Sequence, residues 1–84
     1  MESAIVTVRN TGGSFEKDME LPSNLPVREL SVRLLEVLRT LDYVSFGSFS
    51  HLVLSSDGRI LDDEKTLDEL NVWDGSIITV RQGG

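Results

Sequence analysis

Few residues of this chain have types or spacings that could do chemistry. After an apolar strand-like run, Ile77 to Val80, the sequence reads Arg81-Gln82-Gly83-Gly84. A carboxylate at that position is a poor acyl donor until it is activated to a mixed anhydride, from which a nucleophile can take the acyl group. Glycine suits transfer through a narrow channel, because it has no Cβ and reaches unusual φ/ψ. His51 stands alone, with no second histidine and no cysteine in the chain. Disulfides, thiolate metal sites and a cysteine nucleophile are therefore excluded, and His51 lacks the partners of a catalytic base or metal ligand. The acidic run Asp62-Asp63-Glu64 lacks the spacing of an EF-hand loop and reads as a solvated face. These residues predict no enzyme, no metal and no cofactor. They point instead to the end of the chain.

The elements that must position that end are legible. Eighty-four residues make one small domain, which buries roughly 60–65 % of the surface its unfolded form exposes. That allows one core and no deep, walled active site. A net charge of -6 opposes binding to nucleic acid and favours basic protein partners. No apolar run approaches the roughly 20 residues of a membrane helix, and no secretory signal precedes Ala4, so membrane insertion is not expected and the cytoplasm is.

Ala4 to Val8 is β-branched and suits a central strand, with Val6 and Val8 inward and Ile5 and Thr7 on the other face. Asn10 to Ser14 is a glycine-bearing turn. Phe15 to Leu21 alternates, with Phe15, Met19 and Leu21 on one face and Glu16, Asp18 and Glu20 on the other, as in an edge hairpin strand. Asn24 is placed to cap a helix from Val27 to Leu41, with Pro26 in its first turn. Val27, Leu30, Leu34, Val37, Leu38 and Leu41 form its apolar stripe, while Val32 and Leu35 lie off it or at its margin. Asp42 to Ser50 reads as a loop folded back over the helix end, its aromatic residues plugging the core.

Leu52 and Leu54 point inward from a third strand, and His51, Val53 and Ser55 outward. Asp57-Gly58 turns into a short strand, Arg59 to Leu61. Thr66-x-x-Glu69 is a capping box whose turn is anchored by Leu67 and Leu70. Ile78 and Val80 point inward from the last strand, Ile77 and Thr79 outward. One amphipathic helix can cover one face of one sheet. The arrangement is an α+β, β-grasp fold: a four- to five-stranded mixed sheet wrapped on one helix, with the first strand parallel to the last.

The segment Leu61-Asp62-Asp63-Glu64-Lys65-Thr66-Leu67-Asp68-Glu69-Leu70-Asn71-Val72, followed by a turn, a last strand and Gly-Gly, resembles ubiquitin. Upstream, Leu21-Pro22-Ser23-Asn24-Leu25-Pro26-Val27-Arg28-Glu29-Leu30 is similar to the start of the helix in YukD-type proteins. Those are bacterial ubiquitin-like domains associated with type VII secretion, some of them found beside homologues of activating enzymes, conjugating enzymes and JAB-type peptidases. The resemblance implies a ubiquitin-like domain over residues 1–82 and an exposed di-glycine tail at 83–84. It implies a protein modifier, with Gly84 as acyl donor and Gly83 as its slim approach, joined by an isopeptide bond to target proteins. Arg81 and Gln82 would then contact the activating enzyme. On the open sheet face, Ile5, His51, Val53, Ile77 and Thr79 would form the partner-binding surface. Two departures stand out. Only Arg81 and Gln82 separate the last strand from the di-glycine, a shorter tail than ubiquitin's. The two lysines, Lys17 and Lys65, match no clear chain-forming position. Two other functions fit the same fold: a sulfur carrier with a C-terminal thiocarboxylate, and a non-covalent YukD-type adaptor of type VII secretion.

Overall fold

The computed structural model describes residues 2–83. Five strands form one sheet: β1 (Ser3–Asn10), β2 (Glu16–Pro22), β3 (Leu52–Ser56), β4 (Arg59–Ile60) and β5 (Ile77–Gln82). Two helices interrupt them, α1 (Val27–Leu41) and α2 (Tyr43–Phe46). The strand order is β2-β1-β5-β3-β4, with β1 parallel to β5 and every other pairing antiparallel. This is the β-grasp arrangement, and the central pair β1 and β5 carries the most apolar strand residues, Val6, Val8, Ile78 and Val80, all buried.

Turn chemistry sets the registers. Asp57 and Gly58 have φ of 53° and 76°, the two positive values of a type I′ turn. Its twist matches the flanking strands and holds Ser56 opposite Arg59. Gly75, at φ 88°, turns the chain into β5 in a conformation that a Cβ would strain. The capping box forms as the sequence predicts. Thr66 N–H donates to Glu69 Oε1 at 3.0 Å, and Glu69 N–H to Thr66 Oγ1 at 3.2 Å. Leu67 is fully buried in the core behind it.

The helix has the predicted bounds but a different cap and a different inward face. Asn24 does not cap it. Pro26 occupies the cap position with no side-chain bond, and the first free N–H groups find backbone partners across the domain. Val27 N–H donates to Lys65 O at 2.8 Å and Arg28 N–H to Asp63 O at 3.1 Å. The loop before the capping box thus does what a cap side chain would do. The buried residues are Val27, Leu30, Leu34, Leu35 and Leu38, while Val37 and Leu41 are half-exposed. Turning the helix to bury Leu35 in place of Val37 hides one more CH₂, worth about 0.8 kcal/mol.

The segment expected as loop contains α2. Asp42 caps it, accepting from Ser45 N–H at 3.1 Å and from Ser45 Oγ at 2.7 Å. Phe46 is fully buried and meets Phe15 and Phe49 edge-on, with ring centroids 5.2 and 5.3 Å away. The core plug is therefore phenylalanine alone. Tyr43 and Val44 face solvent, Val44 at 98 % exposure, because one helical turn can direct only one side inward.

Candidate interaction surface and the anchored last strand

The registers fix which outward residues are neighbours on the uncovered face of the sheet. Thr7 lies opposite Asp18 on one side and Ile77 on the other. Arg9 lies between Glu16 and Thr79, and Thr79 in turn faces Ser55. Val53 faces Arg81. Ile5, two residues before Thr7, is diagonal to Ile77, and both are about half exposed, at 54 % and 48 %.

The residues expected to form one partner-binding surface therefore divide into two corners. Ile5 and Ile77 share one corner with the 73–76 turn, which is tied to β1 by Ile5 N–H to Asp74 Oδ1 at 2.8 Å and Gly75 N–H to Ile5 O at 2.9 Å. Val53 and His51 lie at the other, beside Arg81 and Gly83. Thr7, Arg9, Thr79 and Ser55 run between the two. The face is a mosaic, because the apolar residues of adjacent strands fall in different rows. On its β2 side, Asp18 and Glu20 are held flat by hydroxyl bonds of 2.7 Å each from Thr7 and Ser3.

The end of β5 is bound into the sheet. Gly83 N–H donates to His51 O at 2.9 Å, continuing the ladder that pairs Arg81 with Val53. Gln82 closes a side-chain clasp on the start of β3. Its Oε1 accepts from Ser50 N–H at 3.0 Å, and its Nε2 donates to Ser50 Oγ at 3.0 Å. Gly83 is buried, and a Cβ there would stand 2.5 Å from His51 Cδ2 and 3.0 Å from Val53 Cγ2. The expected exposed tail over 83–84 thus does not begin at Gly83. A side chain at this position would require the exposed His51 ring to move. Arg81 is exposed, whereas Gln82 spends its amide on Ser50. Gly84, the expected acyl donor, lies outside the described residues. The clasp was missed in the sequence, although the absence of any turn residue between Val80 and Gly83 was a signal that β5 could run on.

Among the described residues no group of three or more His, Cys, Asp or Glu side chains is placed to hold a metal ion. Among them, too, no helix is long and apolar enough to cross a membrane.

A family model described as "YukD: WXG100 protein secretion system (Wss), protein YukD" matches residues 4–80. The chain belongs to the YukD family. No curated protein sequence matches this YukD-family chain closely. Its fold is similar to the ubiquitin-like domain of the Mycobacterium tuberculosis type VII secretion system protein EccD1. That likeness has a TM-score of 0.74 and 23 % identity, and covers 95 % of this chain and 98 % of that one. It is similar to a chain in protomer 1 of the ESX-3 core complex, with a TM-score of 0.68 and 29 % identity over 98 % of this chain, yet it spans only 16 % of that longer chain. Caldiarchaeum subterraneum ubiquitin matches at a TM-score of 0.66 and 19 % identity, over 98 % of this chain and 95 % of that one. At the identities of the first and third, the likeness is one of fold.

Proposed function

We propose that this YukD-family chain is a non-covalent docking domain of a type VII secretion system, working by binding on the cytoplasmic side and performing no reaction itself. The family description names the WXG100 secretion system, and the similar structures include domains of type VII secretion and ESX complexes. One observation favours docking over conjugation or sulfur carriage. Gly83 is buried and hydrogen-bonded to His51. Threading an acyl donor into another enzyme's channel requires the residues before the carbonyl to be slim, extended and free. Here Gly83 and the Gln82 amide must first be torn from β3, breaking three hydrogen bonds. That requirement also weighs against activating-enzyme, conjugating-enzyme and JAB-type peptidase homologues as partners.

The test is complementation in the native host. A strain lacking the gene is expected to export WXG100 proteins poorly. A copy without Gly84 is expected to restore export fully. Failure of that copy, with the protein present at normal levels, would favour a covalent modifier instead.

A further inference from the structure

The outermost strand of the sheet, β2, has its far edge uncovered. Thr7 N–H donates to Ser76 O at 2.9 Å, so Thr7 and Arg9 direct their backbone groups to β5. Val6 and Val8 therefore direct theirs to β2, where they meet Met19 and Lys17. Asn10 N–H to Phe15 O, at 3.2 Å, keeps the same parity. Glu16, Asp18 and Glu20 thus point their N–H and C=O groups away from β1. All three residues are exposed, and among the described residues no strand lies beyond them. Their side chains stand on the open face of the sheet. Those of Met19 and Leu21 stand on the other, where Leu30, Leu34 and Val37 of α1 complete an apolar groove along the strand.

An edge of this kind takes an extended segment as an added strand, with the backbone supplying affinity and alternate side chains supplying choice. The charges along it say which segment. Asp18 and Glu20 each rest one carboxylate oxygen on a hydroxyl of β1, Thr7 and Ser3, and form no ion pair among the described residues. The β1 residues opposite them are Thr7 and Ile5, both uncharged. Glu16 instead faces Arg9, so the uncompensated charge sits at Asp18 and Glu20. On the helix side of the strand, Arg33 lines the groove but is paired with Glu29 at 3.1 Å, and Lys17 does not line it. A second copy of this chain, joined edge to edge about a two-fold axis, would set carboxylates against carboxylates. We propose that the outer edge of β2 is a docking site for an extended partner segment in which lysine or arginine, facing Asp18 and Glu20, alternates with apolar residues that enter the groove.

The inference rests on the docking reading, but its test is a binding measurement on the isolated protein, so it can fail while the secretion result stands. The whole chain, labelled with ¹⁵N, is titrated with the peptide acetyl-KVKVKVK-amide. Saturable amide shifts are expected at Asp18, Met19, Glu20 and Val37, with Leu52, Val53 and Ile77 unmoved. Only alternate N–H groups of an added strand meet β2. N-methylation of one alternate set should therefore weaken binding about fivefold or more, and methylation of the other set should leave it unchanged. The D18N/E20Q variant keeps acceptors for the Thr7 and Ser3 hydroxyls, and its spectrum reports its folding. It should bind about threefold or more weakly, as should the unaltered chain with acetyl-KKKKVVV-amide, which has the same charge without the alternation. Absence of saturable shifts, equal affinity of both methylated peptides and the parent, or shifts centred on Ile77 and Val53 would each overturn the proposal. So would an unchanged affinity of D18N/E20Q, or self-association of the chain through β2.

Discussion

Replacing Gln82 by alanine tests whether the end of β5 is held in the sheet. The substitution removes both bonds between the Gln82 amide and Ser50, each 3.0 Å long. It leaves the 2.9 Å bond from Gly83 N–H to His51 O as the last rung. Ser50 and Gln82 lie at the surface, so each lost bond counts at the low end, about 0.5–1 kcal/mol. Together they lower the free energy of opening this strand end by about 1–2 kcal/mol. The amide of Gly83 should then exchange with solvent roughly 5–30 times faster, and the amides of Ile78 and Val80, which need global unfolding to open, should speed up by no more than the same factor, because unfolding breaks the same two bonds. Native-state hydrogen exchange followed by NMR reads both at once. If the Gly83 amide already exchanges at its unprotected rate in the unaltered chain, the clasp does not hold and the case for an anchored end is lost. An unchanged rate in Q82A would show that the Ser50 bonds carry no weight.

Other substitutions probe the rest of the account. Phe46→Ala empties the centre of the three-ring cluster and should cost about 3–5 kcal/mol in urea unfolding, most of the stability of so small a domain, whereas Val44→Ala should be neutral within about 0.5 kcal/mol. Thr66→Ala breaks the capping box and should cost about 0.5–2 kcal/mol, with the nearby Lys65 and Asp63 carbonyls loosening their hold on the start of α1 and the Val27 amide losing exchange protection. Gly83→Ala drives a Cβ into the His51 ring; the exposed ring can swing aside, so a shift of the His51 ring proton resonances with little loss of stability is expected, and unmoved resonances would mean the ring does not cover Gly83.

The sequence made the sheet and its long helix legible because their signals are local and repeated. Alternation placed Val6, Val8, Leu52, Leu54, Ile78 and Val80 inward, and Asp57-Gly58 marked a hairpin turn. The bounds of α1 followed from its apolar period. What escaped was decided by packing between distant segments. Asn24 had the right chemistry for a cap, but the carbonyls of Asp63 and Lys65 reached the helix start first, and no local pattern announces a partner some 35 residues away. The rotation that buries Leu35 and releases Val37 depends on which leucine the sheet can cover. A single turn such as α2 has no period to detect, although Asp42 and Ser45 at capping distance were visible. For the candidate site, the residues on the open face were identifiable from alternation, but their division into two corners needed the cross-strand registers.

Purification of the tagged chain from its native host, run in parallel under native and denaturing conditions, addresses non-covalent docking most directly. The account predicts that type VII secretion components accompany the chain under native conditions and that in denaturant it runs alone at its own mass of 9.3 kDa plus the tag. A ladder of heavier, denaturant-resistant species that vanishes when Gly84 is removed would contradict it.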